Sequence, residues 1–569
     1  MNRLPDIGQV SDLRLGDHPG FDAWFYSFCA ENNIEHGINP SGVASPEQLR
    51  FMVAMDERQV YAPCSDATFR ELAASFHLRS FPPRVRSQYI AAWRSIIRVV
   101  RYEKDRQKRR DMINYCRHRF RGCLALGNIL PSRLVKRLVT TLISHFDAGD
   151  PWLNERLFYN ETLASFLRSQ TLQKALGRLP DGLSAKGIPD LRRALDLAEL
   201  ARLFHLAGRS HHTLTQLIHN CAAAESGKCE LPDIFTGSQA SMPQGVELCP
   251  GPAAAVLYNC EQAGGLALDL RIIQTLLRLG HKVILTLKEA PVYYAPTVWD
   301  VDRDPLLVDN LPESHIFKAP AASKNELLRR LRENRLLIIS DGTGERLNLY
   351  RTSVTFARAW KESDAIIARG RCNRDVLLGT SHLFTRDVFC FWEDRGEVRM
   401  QLKPHAPGIR KFSEQALTAK ARTIIKSMRA SKDSGKAVMF YSCIIGSIPG
   451  QTATAIKVAD TFVRSLRERL DQVFIINPAE YFEPGMDGDD LMFMWEQVQR
   501  SGLINIWRFQ SMEDIEASFG LMGLKVPPVW SGKDATFSTG CTKEMRIALD
   551  MQRSHPELQI VGPGPEKIF

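Results

Sequence analysis

A polar loop between an apolar run and a helical pattern carries the residue types most suited to chemistry. The apolar run AAAVLYNC (residues 253–260) ends in EQAGG (residues 261–265), and a helical pattern follows at once. The carboxylate of Glu261 and the amide oxygen of Gln262 are ligands of the kind that magnesium and manganese prefer. The two glycines would let the backbone approach a ligand, and the N–H groups of a helix start favour an anion. The alternative is that Glu261 and Gln262 only cap the helix.

The segments around this loop alternate between short apolar runs and helical patterns. Three more apolar runs follow the loop: KVILTLK, RLLIIS and DAIIARG. Helical patterns of about ten residues or more separate them, which predicts βαβ units and an α/β fold with a mostly parallel sheet and flanking helices. In such sheets, ligands bind beyond the C-terminal ends of the strands. We therefore expect residues 256–370 to form this sheet and the loop at 261–265 to lie at its ligand-binding edge.

Amphipathic helices precede this core, and a second α/β unit follows it. Apolar residues recur at three- and four-residue spacing in SRLVKRLVTTLISHF and DLRRALDLAELARLFHLAG, as expected of helices that bury one face. The segment MRASKDSGK (428–436) is interpreted as a linker. The expected organisation is an N-terminal helical region (1–105), a domain at 106–427 with a helical layer (110–225) and an α/β core (250–400), and a C-terminal α/β domain (436–569).

The order of these motifs resembles the damage-control phosphatase family, and in particular its acidic-residue-methyltransferase-like branch. The resemblance spans about residues 110–400 and rests on an ordered set of segments: DPWLNERLFYNETL, DLAELARLFHLAGRS, the EQAGG loop with LALDL, KEAP, LIISDGTG and SDAIIARGRCNRDVLLG. It implies a metal-dependent phosphomonoesterase, a hydrolase that acts on small phosphorylated metabolites. In that family a divalent metal positions the phosphate and a water, and a lysine neutralises the developing charge.

The resemblance also implies roles for individual residues. Glu261 and Gln262 stand where the family has adjacent Asp and Asn ligands, so they are expected to hold a divalent ion: magnesium, manganese, cobalt or nickel. Lys288 matches the family's Lys-x-x-Pro segment. Arg369 and Asn373 match its late loop, where an arginine would hold phosphate by two parallel hydrogen bonds. Lys288, Arg369 and Asn373 are therefore the candidate catalytic residues.

The chain departs from the family pattern at one expected metal ligand. The family's third ligand, an Asp, is matched by Ala295, so that Asp300 or Asp302 would have to compensate. A lysine near the end of the family's domain has no match in VFCFWEDRGEV. Two functions therefore stay open. One is a metal-dependent phosphatase with weakened catalysis, and the other is a degenerate homologue that binds a phosphorylated small molecule as a sensor or assembly protein.

Two turns in the C-terminal domain also have residues suited to anions. GSIPGQTATA (446–455) follows an apolar run and opens a helix, and KDATFSTGCTKEM (533–545) places Ser, Thr and Gly before another helix. Both turns could bind a phosphate through helix N–H groups, or their hydroxyl groups could serve only as helix caps.

The composition favours an anionic partner over a membrane. The formal net charge is +10, with a pI of about 9.0, and much of the excess lies in residues 98–121. Nucleic acid could bind there through its phosphates, but acidic residues interrupt the run, and we expect a solvated surface helix without nucleic-acid binding. No apolar run reaches the roughly 18 residues of a membrane helix, and the first residues lack a secretory signal. We therefore expect a cytoplasmic protein.

Overall fold

The described part of the chain falls into two compact units. The computed structural model describes residues 7–34, 46–56, 58–75, 81–125, 127–147, 149–177, 190–228, 254–260, 265–310, 315–448, 450–483 and 485–568. Unit 1 is Met1–Ile409 and unit 2 is Arg410–Phe569. The boundary therefore lies upstream of the linker predicted at 428–436, and the described residues before 106 share a compact unit with the α/β core.

The first part of unit 1 is helical, as its amphipathic patterns predict. Its helices are α1 (Pro19–Glu31), α2 (Pro46–Leu49), α3 (Asp66–Ser75), α4 (Pro83–Val100), α5 (Arg106–Leu124), α6 (Pro131–Phe146), α7 (Leu153–Arg168), α8 (Gln170–Leu176), α9 (Leu191–Ala207) and α10 (His211–Glu225), with a 3-10 turn at Val10–Asp12. The basic segment at 98–121 is not one helix, because α4 ends at Val100. Asp105 then caps α5 by accepting the Lys108 N–H at 2.8 Å, a stabilising arrangement at a helix start.

Within the described ranges of unit 1, seven strands form one sheet. They are β1 (Ala255–Asn259), β2 (Lys282–Leu287), β3 (His315–Phe317), β4 (Leu336–Ser340), β5 (Ala365–Arg369), β6 (Asp387–Asp394) and β7 (Glu397–Lys403), in the order β3-β4-β2-β1-β5-β6-β7. All neighbouring strands pair in parallel except β6 and β7. The predicted α/β fold with a mostly parallel sheet is confirmed.

The central strands β1, β2, β4 and β5 are buried on both faces, which explains why they appear as continuous apolar runs. Along β1, Leu257 packs into one core and its neighbours Val256 and Tyr258 pack into another, as the two-residue period of a strand requires. The helices that connect and cover the strands are α11 (Leu266–Arg278), α12 (Pro305–Asn310), α13 (Lys324–Glu333), α14 (Val354–Glu362) and α15 (Arg371–Leu377), with a 3-10 turn at Asp300–Asp302.

The last two strands of the sheet form a hairpin that the sequence did not suggest. Strands β6 and β7 pair antiparallel through the turn at Arg395 and Gly396, whose φ angles are 53° and 87°. Two successive positive φ values are the signature of a type I′ turn, the connection that matches strand twist. The segment VFCFWEDRGEV, which lacks the family's lysine, is therefore a buried strand that runs into a hairpin.

Unit 2 has its own smaller parallel sheet. Its strands are β8 (Ala437–Ser442), β9 (Val473–Ile476), β10 (Ile506–Phe509) and β11 (Gln559–Val561), in the order β11-β10-β8-β9. Its helices are α16 (Glu414–Asp433), α17 (Thr452–Arg469), α18 (Gly488–Gln499), α19 (Met512–Leu521), α20 (Thr539–Ser554) and α21 (Pro565–Ile568), with 3-10 turns at Pro478–Tyr481, Pro528–Trp530 and Ala535–Phe537. The predicted linker is mostly the last turns of α16. Among the described residues of both units, no helix is long and apolar enough to cross a membrane.

Candidate functional site

The C-terminal ends of four strands of unit 1 enclose a small pocket. Among the described residues, those at its wall are Asn259, Cys260, Thr286, Leu287, Lys288, Ala295, Pro296, Asp341, Leu347 and Asn373. The pocket thus lies where the parallel-sheet rule places ligands. Three sequence-predicted positions meet here: Lys288, Ala295 and Asn373. Glu261 and Gln262 lie outside the described residues, and their role as metal ligands stays a prediction.

Lys288 enters the pocket from the end of β2 and is held by groups at the end of β4. Its Nζ donates to Asp341 Oδ2 at 2.5 Å and to Thr343 Oγ1 at 3.3 Å. Asp341 Oδ1 also accepts the Thr343 N–H at 2.8 Å. The ammonium group and the carboxylate are both largely buried, so their charges compensate each other where water is scarce. Lys288 is therefore positioned by the protein before any ligand arrives.

The loop after Lys288 is tied back to β2 and places Ala295 at the pocket wall. Lys288 N–H donates to the Pro296 carbonyl and its carbonyl accepts the Val298 N–H, both at 3.0 Å. Ala295 is 4% exposed. A methyl group therefore stands at the position where the family resemblance implies a carboxylate ligand.

The two acids considered as substitutes for that carboxylate point elsewhere. Asp300 accepts from Arg156 Nη2 at 2.9 Å through Oδ1 and from the Thr297 N–H at 2.7 Å through Oδ2. Asp302 is exposed and pairs with Lys318 at 3.4 Å. Neither Asp300 nor Asp302 is among the described residues that line the pocket, so the structure does not support compensation by either of them.

Asn259 contributes a buried amide group to the same pocket. Its Oδ1 accepts the Thr286 hydroxyl at 2.5 Å, which orients the amide. Its Nδ2 is buried and has no hydrogen-bond partner in the described part of the chain. Leaving a buried donor unpaired costs about 1–3 kcal/mol. This amide is therefore suited to donate to a ligand oxygen.

Arg369, at the end of β5, pairs with Asp269 of α11 and does not line the pocket among the described residues. Its Nε donates to Asp269 Oδ1 and its Nη2 to Asp269 Oδ2, both at 2.7 Å. Tyr258 also donates its hydroxyl to Asp269 Oδ1 at 2.6 Å. Burial opposes the charge, but Asp269 outweighs it and holds the pKa of Arg369 above its ordinary value. The carboxylate of Asp269 thus occupies the two N–H donors of Arg369 that the sequence analysis assigned to a phosphate group.

Asn373 follows the unusual backbone at the start of α15. Gly370 has φ 96°, a conformation that favours glycine, and it directs the chain from β5 into the helix. Asn373 Nδ2 then donates to the Arg369 carbonyl at 2.9 Å. The Asn373 side chain therefore fixes the end of β5 while it lines the pocket.

A thiol nucleophile is not available at the neighbouring Cys260. Burial, and then the proximity of Asp269, raises the pKa of the Cys260 thiol well above its ordinary value. A thiol with a raised pKa stays protonated, and the thiolate is the nucleophilic form. Covalent catalysis by Cys260 is therefore disfavoured.

The described residues of the pocket do not fit a divalent metal ion. In the described ranges no three His, Cys, Asp or Glu side chains are grouped as a metal would need. Asp341 faces the pocket, but Lys288 and Thr343 already engage both of its oxygens. A divalent ion such as magnesium binds about six oxygen ligands. The positive charge of the neighbouring Lys288 ammonium group further disfavours a cation in this pocket.

The two turns of unit 2 meet each other. Ser447 Oγ lies 3.0 Å from Ser538 Oγ, and Ser538 caps α20 by accepting the Cys541 N–H at 3.4 Å. Burial, and then Glu544, raises the pKa of the Cys541 thiol well above its ordinary value. The hydroxyl groups thus serve the helix start and each other, which agrees with the capping interpretation for Ser538.

Sequence analysis missed the acids that hold the two cations. Asp341 is part of LIISDGTG and Asp269 is part of LALDL, and both segments were recognised as motifs without a role for these residues. Their positions in the sequence could have indicated the contact between Asp341 and Lys288, because Asp341 directly follows β4 and Lys288 directly follows β2. Adjacent parallel strands bring such residues to the same edge of the sheet.

Comparisons with known proteins find a likeness among solved structures and none in sequence. No model of a protein family and no curated protein matches the chain. Among solved structures, a DUF89 family protein from Pyrococcus horikoshii is similar with a TM-score of 0.34 and 15% identity, over 55% of this chain and 96% of that chain.

Proposed function

We propose that this chain is a divergent relative of the damage-control phosphatases that binds a phosphorylated small molecule without metal-assisted hydrolysis. The observation that carries the proposal is the set of donors at the pocket: Asn259 Nδ2, which has no partner in the described residues, and the ammonium group of Lys288. An ammonium group has three donors, and Asp341 and Thr343 accept two of those of Lys288. Among the described residues, one donor of Lys288 is left for a ligand oxygen.

The same pocket argues against hydrolysis by the family's metal-dependent route. Ala295 contributes only a methyl group, and the carboxylate of Asp341 is engaged by Lys288 and Thr343. Without a free carboxylate in the pocket, a metal ion is not held there. The phosphate and the attacking water then lack the metal ion that would position them. The proposal is therefore a sensor or assembly role, in which ligand binding is retained and turnover is lost.

A second candidate function, a weakened metal-dependent phosphomonoesterase, has one observation in its favour. Asp341 places a carboxylate in the pocket that also contains Ala295, so it stands near the position of the missing ligand. This function requires Lys288 to leave Asp341, and it requires Glu261 and Gln262 to face the same pocket.

The experiment is a screen of phosphorylated metabolites with the purified full chain. Binding is measured by calorimetry and phosphate release by a colour assay, in EDTA and with magnesium, manganese, cobalt or nickel. We expect binding in EDTA that Lys288→Gln weakens at least tenfold, and no phosphate release. Lys282→Gln, at the opposite end of the same strand, is the matched control and should bind normally. Metal-dependent release that Glu261→Ala abolishes would establish the phosphatase and overturn the binding-only proposal.

A further inference from the structure

A groove between α5 and α6 is a feature of unit 1 that the proposed function does not use. Its volume is about 380 Å³, which is within the usual range for small-molecule sites. In the described part of the chain its wall holds the cations Arg119, Arg133, Lys136 and Arg137, together with four hydroxyl side chains, and no acidic side chain. The groove is therefore positive and rich in hydrogen-bond donors.

Two of these cations have acidic partners behind the wall. Arg137 pairs with Glu31 of α1 and also donates to the Glu31 carbonyl. Arg133 Nη1 lies 3.7 Å from Glu345 Oε1, a buried carboxylate in the loop after β4. These pairs fix the two guanidinium groups along one side of the groove.

The other two cations make no ion pair with the described residues. Arg119 is exposed on α5, and Lys136 projects from α6 towards the loop after β4. A Cβ atom placed on Gly344 would lie 3.3 Å from Lys136 Nζ. Burial, and secondarily Arg133 and Arg351, lower the pKa of Lys136 although Glu345 acts in the opposite direction. Positive charge therefore exceeds negative charge where Lys136 is already partly desolvated.

Two buried polar atoms next to this excess charge also lack partners. Arg133 Nε and Glu345 Oε2 are buried without a hydrogen bond to the described residues. Buried polar atoms in native proteins are nearly always satisfied by protein or by another bound group. Of the two, Arg133 Nε is a donor that a bound anion can satisfy, whereas Glu345 Oε2 only accepts and needs a donor of its own.

We propose that the groove between α5 and α6 binds a small polyanion of the polyphosphate class, such as a triphosphate chain or a multiply phosphorylated metabolite. Arg119 and Lys136 neutralise its charge from opposite helices, Arg133 donates from the buried side, and the hydroxyl groups of Thr140 and Ser144 lie at the wall for further polar contacts. Arginine is suited to hold phosphate oxygens in pairs, and lysine acts as a point charge.

This site is separate from the pocket of Lys288 and does not rest on the proposed function. The two share no lining residue in the described ranges. The loop at 341–345 touches both, since Asp341 holds Lys288 and Glu345 faces Arg133. A concave, partly buried wall also favours a compact anion over a nucleic-acid strand, which needs a long exposed track of cations.

The test is calorimetric titration of the full chain with sodium tripolyphosphate at physiological salt. The groove variants are Arg119→Gln, Lys136→Gln and the two combined, and Arg117→Gln is the matched control, because Arg117 is an exposed arginine of the same helix outside the groove wall. Lys288→Gln reports on the other pocket. We expect saturable one-site binding that either groove substitution weakens at least tenfold and that Arg117→Gln leaves within twofold.

Three results would overturn the proposal. One is an absence of saturable binding by the natural chain. Another is an equal loss in Arg117→Gln and Arg119→Gln, which would indicate a diffuse basic surface of the kind that binds nucleic acid. The third is loss only in Lys288→Gln, which would place the anion in the pocket at the sheet edge. Because Arg119 is exposed, its variant is expected to keep the thermal unfolding midpoint of the natural chain, and it tests the site even if Lys136→Gln fails to fold.

Discussion

Arg369 and Asp269 form a two-pronged ion pair, with both N–O distances at 2.7 Å, beneath the start of α11. The two residues are 100 positions apart in the chain, and both are at least 94% buried. The arginine that the sequence assigned to phosphate thus joins β5 to α11. It supports the junction that holds the candidate site.

Asp269→Asn tests this structural role. Removing one partner leaves the guanidinium charge of Arg369 buried without compensation, which costs about 3–5 kcal/mol. We expect the free energy of unfolding of unit 1 to fall by that order in denaturant titration. Asp394→Asn is the control, because its pair with Arg371 is at least half exposed and should change stability by less than about 1 kcal/mol. Equal effects of the two substitutions would show that the buried pair is not a structural tie.

Gly265→Ala tests the close contact between the start of α11 and Arg369. A Cβ atom at Gly265 would lie 2.4 Å from Arg369 Cζ, so the guanidinium group would have to move away from Asp269. We expect a loss of about 1–3 kcal/mol in the free energy of unfolding, as for other overpacked sites. Gly122→Ala is the control: it lies in α5 with no atom within 4 Å of the new Cβ and should stabilise the helix slightly. A neutral Gly265→Ala would contradict the contact.

Ala295→Asp tests whether the missing carboxylate at position 295 limits metal binding at the sheet edge. The substitution adds a carboxylate to the wall of the pocket, at the position where the family resemblance implies a ligand. We expect manganese affinity, measured by calorimetry, to rise at least tenfold over the natural chain, and Glu261→Ala to remove the gain. Ala295→Asn, which has nearly the same shape without the charge, is the control. Identical metal binding by the Asp and Asn variants would mean that position 295 is not a ligand position.

Glu544 in unit 2 predicts a pH dependence of stability. Burial raises the pKa of this carboxyl group from 4.5 to about 7, although hydrogen bonds with Ser442 and Gln499 act in the opposite direction. The folded unit therefore keeps a proton that the unfolded chain releases, and stability falls as the pH rises from about 4.5 to 7, by roughly 3 kcal/mol at most. The contribution of Glu544 to the free energy of unfolding is therefore most favourable below about pH 4.5.

The measurement is the free energy of unfolding as a function of pH for the natural chain and for Glu544→Gln. The amide cannot ionise, so we expect the variant to lose this decline between about pH 4.5 and 7. Glu516→Gln, at an exposed position of α19, should keep it. Parallel pH profiles for the natural chain and Glu544→Gln would show that Glu544 is ionised in the folded unit.

The sequence by itself determined the α/β core and its parallel strands. The runs at β1, β2, β4 and β5 are apolar without a break because helices cover both faces of the sheet, and that pattern is visible in one dimension. The segment predicted as a linker at 428–436 is instead helical as far as Asp433, for the same kind of reason. Its Ser, Lys and Asp are polar because they lie on the solvent side of the last turns of α16, and polarity alone does not separate an exposed helix face from a linker.

Only the tertiary structure decided what the charged residues do. Lys288 and Arg369 both end strands, but Asp341 holds the first at a pocket and Asp269 binds the second beneath α11. In the same way, Arg119 and Lys136 come together because α5 packs beside α6. The strength of an interaction between charges depends on their separation and burial, and both are set by packing between segments that are distant in the chain.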